Sequence, residues 1–560
     1  MRQPQQDPNI QSAPKPFSEV PAPERSMSVA VIEDAVWHRT HLLLMISGLG
    51  NDEQPLLFCN SRQLVRPLQE GVVEGFNECI PEGCRAFKMN FANGGERQLL
   101  PSGIWQLNTA PDLAQLRVSA AVMARPEDLN RSFYFGKGEL YGIRFNVPQD
   151  DSLPPRLEIQ VDYFKKNPKP GMPLSKKKVL FAAMNSLYHL FRLGAKKDGK
   201  HVLFMSENND KMMGNLAAID QRLKERGLDG EFTIDYSFRN IFKQGGASKV
   251  GNTVKVLRKM AQADFIFVED YTPILNGIDF PSEVEIVQVW HAGYGFKLVG
   301  FGRFGISGSP NPYRAGHRRY THALVGNDHL KEIYSEVFGI PESCMLPTGM
   351  PRLEHFLDEE ARAGAVTEFE GRFPQAKGKH VVLFAPTYRG KDQETAHYSF
   401  DQLDFDALAK FCEATNSVVL FKMHRFIEEP VPIPPQYANM MIDASGGDIN
   451  RLYYKTDVLV TDYSSCFYDY LLLGRPVVFF PYDLDYYSAT RGIHRPVEDV
   501  APGAVCMNSA ELVEKLTEMV QHPETQELSP MLVDRSAASE KLASDRVIDY
   551  LLLGDKKAME

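Results

Sequence analysis

The chain has 560 residues, 43% of them hydrophobic and 24% charged, with a formal net charge of -10. That length exceeds one compact core and implies two or three domains, while the acidic balance argues against general nucleic-acid binding. Seven cysteines, at 59, 79, 84, 344, 412, 466 and 506, are odd in number, scattered and without zinc spacing, which fits a reducing compartment.

Residues 1–26 are rich in Pro, Gln and Ser and read as a disordered leader. No basic start followed by an apolar run points to secretion. The longest apolar stretches, such as Leu471–Phe480, are broken by Gly474, Arg475 and Pro476 and suit core elements better than a membrane span. From 27 to 162 the chain shows short β-type runs: Val29–Ile32, Leu42–Ile46, Pro55–Phe58, Arg117–Val122, Ser132–Phe135 and Leu157–Val161. They predict a small β-sandwich-like accessory domain with no catalytic constellation. Residues 163–200 form a basic linker and helix. Lys165–Leu174 is rich in Pro, Gly and Lys, and beyond it Leu180, Met184, Leu187, Tyr188 and Phe191 fall on one helical face between lysines. Such a helix lies on anionic lipid or docks on the following domain.

From His201 onward β-runs and helical runs alternate. Val202–Met205, Phe265–Val268 and Val284–Val289 are followed, after a break near 355–378, by Val381–Phe384, Val418–Phe421, Val458–Val460 and Val477–Phe480. The pattern predicts an α/β pair of Rossmann-like halves, 201–370 and 371–560, with ligands beyond the strand C-termini and in the cleft between.

Polar residues recur at those strand ends. His291 follows Trp290 and precedes Ala292 and Gly293, with Lys297 close behind; Thr387 and Arg389 follow the 381–384 run; Lys422 and His424 follow 418–421. After Val458–Val460 stand Thr461 and Asp462, then Ser464 and Ser465 open a helical segment; Asp483, Arg491 and Gly492 follow the last run. A strand, a polar turn and a helix start direct unpaired N–H groups at one place, and cationic and hydroxyl groups converging there suit a pyrophosphate. Imidazole is the side chain best placed to take a proton from an alcohol near neutral pH, which makes His291 a candidate base. His424, between Lys422 and Arg425, suits a neutral imidazole or an anion contact. Asp462 and Asp483 orient a basic partner or cap a turn. A Walker loop, a Gly-x-Gly-x-x-Gly after a first strand, a nucleophile elbow and zincin spacing are all missing from the sequence. No cofactor is indicated, and a divalent cation held by substrate phosphates stays open.

In order and spacing these residues resemble the CDP-glycerol glycerophosphotransferase family of teichoic acid and capsule polymer synthesis. The resemblance runs from about His201 to Ile548, through Gln288–Gly293, Thr348–Arg352, Ala385–Arg389, Thr461–Ser465, Asp469, Arg475-Pro476, Tyr482-Asp483, Arg491-Gly492 and Pro502-Gly503. It implies a GT-B-like fold and transfer of glycerol phosphate, or a related polyol phosphate, from a CDP-activated donor to a hydroxyl of a lipid-linked or polymeric glycan acceptor, with release of CMP. It further implies a peripheral position on the anionic cytoplasmic face of the cell membrane. Catalytic roles fall on His291 and His424. Substrate contacts fall on Lys297, Arg352, Thr387, Arg389, Lys422, Thr461, Asp462, Ser464, Ser465, Asp483, Arg491 and Gly492. Two departures from the family pattern stand out: Ala292 separates His291 from Gly293, and Lys422-Met423-His424-Arg425 replaces Arg-Leu-His-Pro. From the residues alone, a nucleotide-sugar glycosyltransferase and a non-catalytic nucleotide- or glycan-binding protein stay as alternatives.

Overall fold

The computed structural model of the protein describes residues 27–559, apart from 74, 75, 77, 78, 95, 96, 136–138, 149–153, 166–175, 242–245, 307, 308, 314, 391–393, 524–527 and 539. The predicted leader and most of the predicted linker lie outside the described residues. The chain divides into two compact units, 1–172 with 301–313, and 173–300 with 314–560.

In the first unit the strands join one branched 11-stranded sheet, which corrects the expected two-sheet sandwich. The branch arises at Gly103–Ala110, which pairs with Gln54–Cys59, Ala114–Val118 and Glu158–Lys165. Alternation holds well in Glu139–Asn146, where Tyr141, Ile143 and Phe145 are buried and Arg144 and Asn146 are exposed. The segment 301–313 belongs to this unit although the sequence places it among the α/β strands: Phe304 packs against Phe133, Phe135 and Tyr141. Such a pairing is too distant in sequence to leave a local pattern.

The second unit holds two parallel sheets. In spatial order across the first, the strands are Thr233–Phe238, His201–Ser206, Phe265–Val268, Glu285–Gln288, His322–Leu324 and Met345–Leu346. Across the second they are Met441–Asp443, Ser417–Phe421, His380–Phe384, Val458–Thr461 and Val477–Phe479. Helices cover both faces, so the strands read as unbroken apolar runs; Ser417–Phe421 is buried at every position. Strand order reverses between 201–206 and 265–268 in one half, and between 380–384 and 458–461 in the other. Ligands of doubly wound sheets bind outside such reversals.

The C-terminus does not stay in the second half, as the boundary 371–560 implied. Val547, Ile548 and Leu551 enter the core around Val202 and Phe204 of the first half. Asp545 takes a two-pronged bond from Arg222, and Arg546 donates to the Thr348 carbonyl. The helix Lys176–Arg192 takes the second of its two expected roles, docking its apolar face on the domain that follows, although Leu180, expected on that face, is exposed. It lies along Gly246–Gln262, with Met184 and Tyr188 buried and Phe181, Leu187 and Phe191 packed on the same core. Arg192 fixes its end by donating to the carbonyls of Ala261 and Ala263.

Candidate active site

The strand Glu285–Gln288 delivers Trp290 and His291 to the cleft. The Trp290 backbone is left-handed at φ +50°, and so is Asp270 at φ +62°, just beyond the neighbouring strand. Such backbone costs on the order of 1–3 kcal/mol for a residue other than glycine and persists only where surroundings enforce it. Gln288 supplies part of that enforcement: its buried amide donates to the Asp270 carbonyl at 3.0 Å and accepts from the Trp290 N–H at 2.9 Å. Asn215 donates to the carbonyls of Val289 and Trp290 and accepts from the Arg352 N–H. Trp290 stacks beside the His291 ring at 4.4 Å and packs edge-on against Phe338. His291 is half exposed, at 51%, with its Nδ1 against the Asp270 carboxylate.

Two carboxyl groups adjoin this turn, and a third, Asp469, lies beyond Arg352. Burial pushes Glu269 up to about 7, with the Asp270 charge acting in the same direction. Burial also opposes ionisation of Asp270, yet the His291 and Arg425 charges and the His291 and Asn208 contacts together hold it below the usual carboxylate range. Asp469 is tied to Arg352, whose guanidinium meets it at 2.5 and 3.2 Å.

The opposite wall comes from the second half. His424 is hemmed in by the Tyr388 ring at 4.7 Å and Phe426 at 4.8 Å. Burial and the charges of Arg425, Lys297 and Lys422 lower it to about 4, so the ring is neutral near pH 7. Its Nδ1 accepts the Phe426 N–H at 3.2 Å, which leaves the ring proton on Nε2 as a donor. Lys297 and Arg491 sit over the Tyr388 ring at 5.7 and 5.3 Å. Burial and the Arg372 charge lower Lys422. Arg425 acts electrostatically on both Asp270 and His424, so the two walls share one field.

Beneath this surface lies a buried ionic bracket. Arg389, 6% exposed, grips Asp483 through two bonds of 2.7 Å and Asp462 at 2.8 Å. The rings of Tyr463, Tyr482 and Tyr487 surround it at 5.0–5.4 Å. Asp462 also accepts the N–H groups of Thr387 and Tyr463. The Thr461 hydroxyl bonds the Ala385 carbonyl. Arg389, Asp462, Asp483 and Thr461 therefore brace the loops from below: the two carboxylates orient a basic partner, as their residue types suggested, where the family resemblance implied substrate contacts for all four. Ser464 accepts from the Cys466 N–H, and Ser465 opens a helix of only 6 residues, Cys466–Leu471.

A loop from the first half closes on that turn. A Cβ at Gly293 would stand 2.1 Å from the Tyr468 ring, and one at Gly295 3.1 Å from Ser465 Cβ. Lys297 pairs with Ile493 in an antiparallel bridge, and the Leu298 N–H donates to the Gly492 carbonyl at 3.1 Å. Gly492 has φ +78°, a conformation that favours glycine there. Tyr334 anchors the inserted Ala292, donating to the carbonyls of Ala292 and Gly293. The structure thus gathers His291, Lys297, Lys422, His424 and Arg491 around the cleft, with Arg352 and Thr387 at its buried margin. Glu269, Asp270 and Arg425 belong to the same set and were missed. The signal was available for the first two, since they end a predicted strand, Phe265–Val268, whose terminus the sequence reading did not inspect.

The arrangement offers an imidazole held at Nδ1 by a carboxylate, a second, neutral imidazole whose Nδ1 accepts a backbone N–H, and several cations: the elements of transfer to or from a phosphate ester. Residues 187–553 match the profile of the CDP-Glycerol:Poly(glycerophosphate) glycerophosphotransferase family. The teichoic acid ribitol-phosphate polymerase TarK of Staphylococcus aureus is 34% identical over 375 residues, covering 66% of this chain and 71% of that protein. The teichoic acid poly(glycerol phosphate) polymerase of Bacillus subtilis is 28% identical over 406 residues, covering 68% of this chain and 52% of that protein. In fold, the wall teichoic acid polymerase TagF superposes with a TM-score of 0.51 at 22% identity, over 69% of this chain and 97% of that one.

Proposed function

The chain belongs to the CDP-glycerol:poly(glycerophosphate) glycerophosphotransferase family, a GT-B-like family of enzymes, and on that premise we propose how its cleft transfers a polyol phosphate from a CDP-activated donor to a teichoic-acid-like polymer. The acceptor hydroxyl attacks the polyol-side phosphorus of the donor. A P–O bond forms to the acceptor as the bond to the CMP oxygen breaks. His291 Nε2 takes the hydroxyl proton, and CMP departs with the electron pair. Lys297, Lys422 and Arg491 offset charge on the phosphate oxygens, and His424 donates through Nε2 to the pyrophosphate without itself gaining charge.

The observation that carries this reading is the pair of imidazoles in opposite protonation roles on facing walls, one against a carboxylate and one accepting a backbone N–H. The higher identity to the ribitol-phosphate polymerase, 34% against 28% for the glycerol-phosphate polymerase, supports CDP-ribitol as the donor. Incubation with CDP-ribitol, CDP-glycerol or a UDP-sugar, plus a polyol-phosphate-primed acceptor, tests both points. CMP release faster from CDP-ribitol, with acceptor mass rising by ribitol phosphate, is expected. UDP release with sugar transfer overturns the reaction class. His291→Ala should bind donor normally while losing turnover by about 10²–10⁴-fold, the usual span of general base catalysis; full turnover would remove His291 from the base position.

An anionic membrane surface is the second partner we propose. Among the described residues no helix is long and apolar enough to cross a membrane. The outer faces of the helices Lys176–Arg192 and Gly246–Gln262 expose Val179 at 54%, Leu190 at 61% and Val250 at 66%, with Leu193 at 85% just beyond. Exposed Lys178, Lys196, Lys197, Lys255 and Arg258 accompany them, on a chain of net charge -10. Apolar side chains amid basic ones suit an anionic lipid surface.

A further inference from the structure

Resting on the reading of His291 as the base, we propose that Asp270 is its positioning residue: it holds the ring proton on Nδ1, keeps Nε2 free for the acceptor hydroxyl, and stabilises the imidazolium formed as the proton moves. The geometry carries this. The Asp270 carboxylate lies directly against His291 Nδ1, and an ionised carboxylate only accepts, so the ring nitrogen it faces carries the hydrogen. The neutral ring then has its lone pair on Nε2.

The contact depends on two neighbouring turns keeping their shape. Asp270 and Trp290 both adopt left-handed backbone, and one buried amide, Gln288, ties the carbonyl of the first to the N–H of the second. Carboxylate and imidazole are therefore mounted on a common brace between two adjacent strand ends, the first of which borders the reversal of the first sheet. A carboxylate retained for surface charge alone needs no such mounting. The other groups facing Asp270 are Arg425 from the second half and Asn208, with Glu269 and Tyr320 also coupled to it. Arg425 shares the field of Asp270 from across the cleft but follows His424 in sequence, so it does not replace the imidazole as the carboxylate's partner on the braced turn.

The test uses the full chain carrying Asp270→Asn or Asp270→Glu, each alone and with His291→Ala. Asp270→Asn should lower kcat by about 10²–10⁴-fold with donor KM nearly unchanged, because the amide no longer enforces the productive tautomer. Asp270→Glu should recover part of the rate. With His291→Ala, adding Asp270→Asn should change residual turnover less than about 2-fold, as for groups acting as a unit. A readout free of activity accompanies these: a downfield imidazole Nδ1–H resonance, present in the unaltered protein and lost in both His291→Ala and Asp270→Asn.

Full turnover of Asp270→Asn, or a loss that is independent of His291, overturns the proposal. Absence of that resonance in the unaltered protein does so too. If His291→Ala itself turns over normally, the base assignment fails first, and this outcome is distinguishable because it needs no change at Asp270.

Discussion

At the scale of single residues, burial decides which polar groups act on substrate and which hold the site together. Arg389 was read as a phosphate contact because it follows a strand end. Its guanidinium is instead enclosed by Asp462, Asp483 and three tyrosine rings. Arg389→Ala should therefore destabilise the protein by about 3–5 kcal/mol, the cost of leaving buried carboxylates unpaired. Denaturant unfolding would show it; an unchanged midpoint with a raised donor KM would return Arg389 to the substrate. His317 supplies a second residue-scale prediction. It is buried, and burial lowers it from 6.5 to about 4. The unfolded chain therefore binds the proton first as pH falls, so this stability is present above pH 6.5 and lost between 6.5 and about 4. The loss amounts to about 3 kcal/mol, and His424, lowered likewise, acts in the same direction. His317→Gln should flatten the pH dependence of unfolding in that window, and an unaltered slope would contradict the assignment.

Residue chemistry was legible in the sequence where a strand ended in a group with one evident use. His291, Lys297 and His424 were singled out that way, and the structure brings them to one cleft. Arg389 looked no different from Lys297 in sequence, because the carboxylates that enclose it lie 73 and 94 positions away. Glu269 and Asp270 end a strand that was itself legible, so the same strand-end signal marks them; which partner Asp270 takes is set by the Gln288 brace, which ties its carbonyl to the turn bearing Trp290 and His291.

At the scale of elements, the loop from Trp290 to Leu298 connects the chemistry of one half to the frame of the other. Gly293 admits the Tyr468 ring, and a methyl group there meets it at 2.1 Å. Gly293→Ala should displace the loop bearing His291 and lower turnover by about 10²-fold, the scale of a displacement of about 1 Å in a catalytic geometry. Stopped-flow or steady-state kcat would check this, and unchanged turnover would show that the loop tolerates the shift. The central strands of both parallel sheets were readable because burial on both faces leaves continuous apolar runs, whereas Thr233–Phe238, which has no buried position, and the short strands His322–Leu324, Met345–Leu346 and Met441–Asp443 were not. The helix Lys176–Arg192 was readable as amphipathic, but not as to what covers it. Its strongest apolar face packs on Gly246–Gln262, and only the flank carrying Val179 and Leu190 is left outside. Flotation with anionic liposomes should therefore recover protein at low salt and release most of it at high salt. Val179→Asp with Leu190→Asp should abolish flotation without changing turnover on a soluble acceptor; retained flotation would remove this face as the docking surface.

At the scale of the whole molecule, the alternation of strands and helices from His201 gave the two-half architecture, whereas long-range returns of the chain escaped it. The segment 543–552 closes back on the first half through Val547, Ile548 and Leu551, and 301–313 joins the N-terminal unit through Phe304. Neither carries a periodicity that names its partner. The two halves of the second unit jointly build the cleft for which displacement at phosphorus is proposed. The most direct measurement follows the polyol-side phosphorus of the CDP-activated donor with a ³²P label. The account predicts that the label enters the polymer with the polyol while unlabelled CMP is released. Label retained on a released nucleoside diphosphate, with only an unphosphorylated group added to the acceptor, would contradict it.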